Sequence, residues 1–277
     1  MREQCIFAVV IVGLFVAIPR LCKPVTAGEI VAWGDNSEGQ CNVLIGDNFT
    51  KISSSDRHNL ALRMDGSLIG WGLNGGYQSS APKTKDFADI SAGYTHNLAL
   101  RTNGSLVAWG QNGYGECIVP SGYNFIDVAA GEYWSLALRV DGSLAAWGDN
   151  RWGQVDDVPM GDDFAAIAAG NCQGLALRND GSLVAWGDNG WGQGDVPTGS
   201  DFAAISSGGA HSLALRSNGS LVAWGCPNDG RINVPAGTDF VKIAAGPVHS
   251  LALTSDGSLV GWGWNTTVNV TCRKVSL

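Results

Sequence analysis

The chain has 277 residues, 39 of them Gly, with 45% hydrophobic and only 15% charged residues, and 17 Lys and Arg against 25 Asp and Glu give a formal net charge of -8. This composition excludes a disordered chain and a coiled coil, and the irregular glycine spacing excludes collagen. The acidity, with no basic run, argues against a phosphate-backbone binder, so no nucleic-acid partner is expected.

The chain opens on an uncharged, mostly apolar run from Ile6 to Pro19, preceded by Arg2 and followed by Val25-Thr26-Ala27 ahead of Gly28. That order reads as a secretory signal over residues 1–27, too short for an easy membrane span. Residues 28–277 would then form one exported, secreted or extracytoplasmic domain. The same stretch has two rival readings, an uncleaved anchor and degenerate strands of a closing blade. The second rests on Phe7, Val10 and Gly13, which share the spacing of Phe240, Ile243 and Gly246.

From there the chain repeats. Trp-Gly recurs at Trp33, Trp71, Trp109, Trp147, Trp186, Trp224 and Trp262, in steps of 38, 38, 38, 39, 38 and 38 residues. Each unit predicts three strands: a short Phe-x-x-Ile, a second ending in Leu-Ala-Leu, and a third ending at the repeat Trp. Asp-Gly or Asn-Gly joins the second and third in six copies, from Asp65-Gly66 to Asp256-Gly257, and favours tight hairpins. Pro82, Pro120, Pro159, Pro197 and Pro235 interrupt the longer connections. Such a unit cannot bury both faces alone and must stack on its neighbours. The expected fold is an all-β propeller of short, mainly three-stranded blades, with the repeated Trp filling the wedge between blades. The clear strands number 19, which leaves seven blades favoured and six as the alternative.

The unit resembles the regulator-of-chromosome-condensation repeat superfamily. The matching residues include Asp256-Gly257-Ser258-Leu259, Trp186-Gly187-Asp188-Asn189 and Gly192-Gln193. The short step is similar to a bacterial secreted branch that includes a seven-bladed β-lactamase-inhibitory protein. The resemblance implies a propeller that binds proteins through loops on one face; some members are exchange factors for small GTPases, others light receptors or enzyme inhibitors. The leading expectation is therefore a non-enzymatic secreted protein-binding module, with enzyme inhibition one form of it. A carbohydrate-binding propeller is one alternative. A guanine-nucleotide exchange factor is another, if the chain is not exported.

Catalytic groups and cofactors are not expected. His58, His96, His211 and His249 share one repeat position with Trp134 and Gln173, which suits a scaffold role better than a metal site. Asp156, Asp157, Asp162 and Asp163 read as a solvated acidic loop rather than a calcium loop. Cys41 and Cys272, near opposite ends of the domain, are candidates for a disulfide staple.

Recognition is expected where the copies differ. Five residues after each repeat Trp stand Glu38, Gly76, Tyr114, Trp152, Trp191 and Asp229, so three successive units carry an aromatic. Tyr114, Trp152 and Trp191 are candidate binding residues, with Tyr133 and Trp134 in the same third of the ring, because aromatics anchor interfaces. Asp156 and Asp157, just after Trp152, would attract a partner with a basic surface. Stacking on a glycan is the other use of such residues.

Overall fold

The computed structural model describes residues 5–10, 30–46 and 48–264. The chain starts with strands β1 (Cys5–Val10) and β2 (Ile30–Gly34), which form a two-stranded antiparallel sheet. Six three-stranded sheets follow. In the first, β3 (Phe49–Ser54), β4 (His58–Arg63) and β5 (Leu68–Gly72) lie in that order, antiparallel. Equivalent sheets span 87–110, 125–148, 164–187, 202–225 and 240–263; the six are called blades I to VI.

Among the described residues the complete blades number six rather than the favoured seven, because Phe-x-x-Ile, which begins each of them, occurs only six times with Val128 in place of Ile in blade III. The seventh Trp-Gly strand, β2, pairs instead with β1. In that pair Cys5 faces Gly34 and Ile6 faces Trp33, as His58 faces Gly72 and Asn59 faces Trp71 in blade I. So β1 holds the second-strand place, not the first-strand place that Phe7 and Val10 suggest by spacing. Ala27, Gly28 and Cys272 lie outside the described residues, as does the side chain of Trp33.

The core lies between blades, not within them. Along each Leu-Ala-Leu strand the side chains alternate between the two faces. Leu60, Leu62 and Leu68 of blade I pack on Phe87, Ile90 and Ala99 of blade II. The same arrangement recurs at each of the next four joints, and Ile30 of β2 packs likewise on Phe49, Ala61 and Trp71. The repeat tryptophans fill these joints as expected. The indole Nε1 of Trp71, Trp109, Trp147, Trp186, Trp224 and Trp262 donates to the carbonyl of Gln40, Gln78, Glu116, Gln154, Gln193 or Arg231 at 2.8–3.0 Å. Each acceptor lies in the connection that leads in from the preceding unit.

The scaffold role expected for the histidines is also visible. His58, His96 and His211 reach across a joint to Asn97, Ser135 and Ser250, with Nε2 at 2.7–2.8 Å from the side-chain oxygen. Burial holds all four histidines well below the usual imidazole range, at about 3 to 4.

At the inner edge the blades approach so closely that only glycine fits. A Cβ on Gly93 would lie 2.5 Å from the Gly131 carbonyl, one on Gly131 2.7 Å from that of Gly170, and one on Gly170 2.6 Å from that of Gly208. These inner turns surround one axial pocket, lined by a segment from every complete blade. Six blades therefore share one axis, as a propeller requires. No described helix is long and apolar enough to cross a membrane.

Candidate functional site

The turn between first and second strands and the connection after the third strand emerge at the same end of each blade. They are laced together: Leu73 N donates to Arg57 O, Gln111 N to Thr95 O, Asp149 N to Tyr133 O and Asp188 N to Cys172 O, at 2.8–3.0 Å. The Asp-Gly hairpins lie at the opposite end. One face thus carries every position the sequence marks as variable.

On that face a buried side chain pins each connection. Gln154, fully buried, accepts the backbone N–H of Trp152 at 2.8 Å through its Oε1. Gln193 does the same for Trp191 and Glu116 for Tyr114, both at 2.8 Å. The residue two positions earlier is held outward on a fixed turn: Tyr114 is 47% exposed, and Trp152 and Trp191 are both 55% exposed. The three occupy three successive connections, each held by the same backbone bond.

Tyr133 is half-buried beside this arc. Its ring centroid lies 5.1 Å from Tyr114 and 6.1 Å from Tyr94, the latter edge-on. The Arg151 guanidinium sits 4.8 Å above the Tyr114 ring and is bound through Nε to Asp149 at 2.9 Å. Asp156 and Asp157 are exposed, and part of their role is local: Asn150 Nδ2 donates to Asp156 Oδ2 at 2.7 Å, closing the turn that carries Trp152.

Trp134 is a correction. It is fully buried and donates to the carbonyls of Gly170 and Asn171 at 3.1 and 3.0 Å. Its ring meets Trp186 edge-on at 6.5 Å, and blade IV makes room with Gly174 where other blades carry Asn or Ser. It is joint packing, not a binding residue.

Sequence reasoning missed a second variable position, two residues before the histidine site. It carries Asp56, Tyr94, Glu132, Asn171, Gly209 and Pro247, one per blade, around the mouth of the axial pocket of about 80 Å³. Reading this offset as the adjacent one was read would have found it. Burial raises the Asp56 carboxyl to about 6 against the pull of Arg57, and nearby Glu132 raises it further. Burial raises Glu132 as well. Among the described residues no group of three or more His, Cys, Asp or Glu is placed to hold a metal ion.

The regulator of chromosome condensation (RCC1) repeat model matches residues 49–78, 87–116, 202–231 and 240–267. No curated protein matches by sequence. Among solved structures, the CRINKLY WD40 ectodomain of the Arabidopsis thaliana receptor kinase ACR4 is similar at 22% identity and TM-score 0.71, over 87% of this chain and 90% of that one. Prp20p from Saccharomyces cerevisiae is similar at 20% identity and TM-score 0.68, over 78% and 72%. The ectodomain of the Physcomitrella patens receptor kinase CR4 is similar at 23% identity and TM-score 0.67, over 78% and 64%. Repeats, joints and fold agree: four of the six blades match the RCC1 repeat model, on a β-propeller fold like that of these solved structures.

Proposed function

We propose that this protein is a docking propeller that binds a protein partner on the face carrying Tyr114, Trp152 and Trp191. The observation behind the proposal is that buried Gln154, Gln193 and Glu116 pin the turns holding three exposed aromatics. Rigid aromatic side chains lose little entropy on docking, which suits them as anchors.

The partner class better supported is a small GTPase, the exchange-factor alternative, rather than a general extracellular ligand. Its support is the likeness to Prp20p, described with its binding to Gsp1p and histones and solved bound to Kap60. Inhibition of an exported enzyme rests on the 38-residue step, and export rests on residues 1–27. The test is nucleotide release from a panel of small GTPases carrying fluorescent GDP. Acceleration by the wild type, lost in Trp152→Ala and Trp191→Ala, is the expected result. No acceleration across the panel overturns the GTPase reading. A captured protein that both variants bind as tightly as the wild type overturns the docking face itself.

A further inference from the structure

The axial pocket opens on the same face, and nothing in the aromatic arc accounts for its chemistry. Asp56 lines it at only 8% exposure, and its Oδ1 is buried without a hydrogen-bond partner. A buried, unpaired carboxylate oxygen is costly and marks a site for a missing donor. Glu132 lines the pocket two blades on, close enough to interact electrostatically with Asp56, and Tyr94 stands on the blade between them. The remaining wall is short and mixed: Ala92, Ala130, Ala169 and Ala245 with glycine backbone, and polar Ser54, Ser55, Asn171 and Ser207. We propose that this pocket receives a primary ammonium group on an alkyl stem, namely a lysine side chain of the protein docked on this face.

The chemistry selects that group over other cations. A divalent metal wants six or more oxygen ligands, several of them anionic, whereas this mouth offers two carboxylates. A guanidinium pairs best with both oxygens of one carboxylate, and here one oxygen stands unpaired. An ammonium donates in three directions from a compact centre, which suits carboxylates set on separate blades. A cavity of about 80 Å³ has room for the ammonium and its last methylenes. The alanine walls suit those methylenes.

The lysine source rests on the docking reading, but the pocket can be tested without any partner. The probe is n-butylammonium chloride, titrated into the full chain and followed by the backbone amide resonances of Gly131, Gly170 and Gly208. A matched sodium chloride titration controls for ionic strength. Saturable shifts with a dissociation constant on the order of millimolar are expected, weakened at least about tenfold in Asp56→Asn and in Glu132→Gln. The neighbours Arg57 and Glu132 bear on the pH dependence. Because the Asp56 carboxyl ionises only near pH 6, binding should strengthen from pH 5 to pH 7. Shifts equal to the sodium control, or unchanged in a folded Asp56→Asn protein, overturn the pocket. If butylammonium binds, a second arm distinguishes the sources. Reductive dimethylation of an identified partner's lysines should weaken docking, and Asp56→Asn should remove that sensitivity. Butylammonium binding with no effect of dimethylation would overturn the lysine and leave a free-amine site. Failure of Trp152→Ala alone to weaken docking would fault the aromatic face without touching the pocket.

Discussion

Trp134 and Gly174 should behave as one unit. Blades I, II and V place a histidine at the position of Trp134 and pair it with Asn or Ser one residue past the equivalent position on the next blade. At the joint between blades III and IV, Trp134 takes the histidine place and Gly174 the Asn or Ser place. A Cβ on Gly174 would lie 2.8 Å from Cδ2 of Trp186 and closer still to two more atoms of that ring. Gly174→Ser alone should therefore overpack the joint and cost about 1–3 kcal/mol. Trp134→His alone leaves a void where a fully buried indole stood and strips the carbonyls of Gly170 and Asn171 of their donor. A cost of about 2–4 kcal/mol is reasonable, somewhat below that of truncation to alanine. In the double variant the introduced serine hydroxyl can accept from the introduced imidazole, as Ser135 does from His96 at 2.8 Å. Trp186 also gains space on the side Trp134 vacates. The pair should thus be less destabilised than the sum of the singles by about 1–3 kcal/mol. For a domain this size each kcal/mol moves the melting temperature by roughly 2–4 °C, well within reach of circular dichroism. A double variant melting at the additive temperature would refute the exchange.

The histidines should make stability fall with acid. Their folded values, about 3 to 4, lie below the ordinary value of 6.5, so the unfolded chain binds the extra protons below that pH. Stability is complete above about pH 6.5 and is lost toward pH 4, at about 1.4 kcal/mol per pH unit for each histidine fully charged in the unfolded chain. Asp56 and Asp127, raised to about 6, act in the opposite sense: their stabilisation is full below the unfolded carboxyl range and is lost as pH rises through 6. Glu132, also raised by burial, adds to that opposition, so the net slope should stay positive but below that of four histidines, and His96→Gln should flatten it further; urea midpoints across this range that do not move would contradict it. Gly131→Ala should destabilise by at least about 1–3 kcal/mol, since its Cβ would meet Trp134 and the Gly170 carbonyl, whereas Gly113→Ala, whose Cβ would meet nothing within 4 Å, should leave the melting temperature nearly unchanged. N-terminal sequencing of the native protein decides between the two uses of residues 1–27: an intact start is expected if β1 stays paired with β2, and Gly28 first would mean a cleaved signal and the loss of β1.

Most of the frame is legible because it is written six times. The Phe-x-x-Ile, Leu-Ala-Leu and Trp-Gly segments each became the expected strand, since alternation, hairpin dipeptides and repeat spacing all specify one structure. The outward set of Tyr114, Trp152 and Trp191 was legible for a related reason: their offset is constant while their identity varies. Trp134 shows where that logic stops. Variation between copies marks freedom from the repeat, but an inward position can vary too when the next blade compensates, as Gly174 does. That pairing crosses a joint and joins residues 40 apart, so no local pattern displays it. The axial carboxylate escaped for another reason. Asp56 looks like an ordinary turn acid until six turns are wrapped round one axis and its oxygen loses water. β1 was legible only as an alternative, and in the first-strand place, because its run lacks the Leu-Ala-Leu signature of the strands whose place it takes.

The location of the core between blades has a mechanical consequence. Each joint is a separate adhesive contact between neighbours, and the chain returns to the next joint after about 38 residues. Pulled from its ends, such a chain should yield one joint at a time from the outside inward, with no single cooperative rupture. Each event would release roughly 130 Å of contour, the extended length of one repeat. The record of force against extension would be a regular sawtooth. The tooth that breaks the Trp134–Gly174–Trp186 joint should stand apart in height, because a buried tryptophan there takes the place that a histidine holds in four other blades.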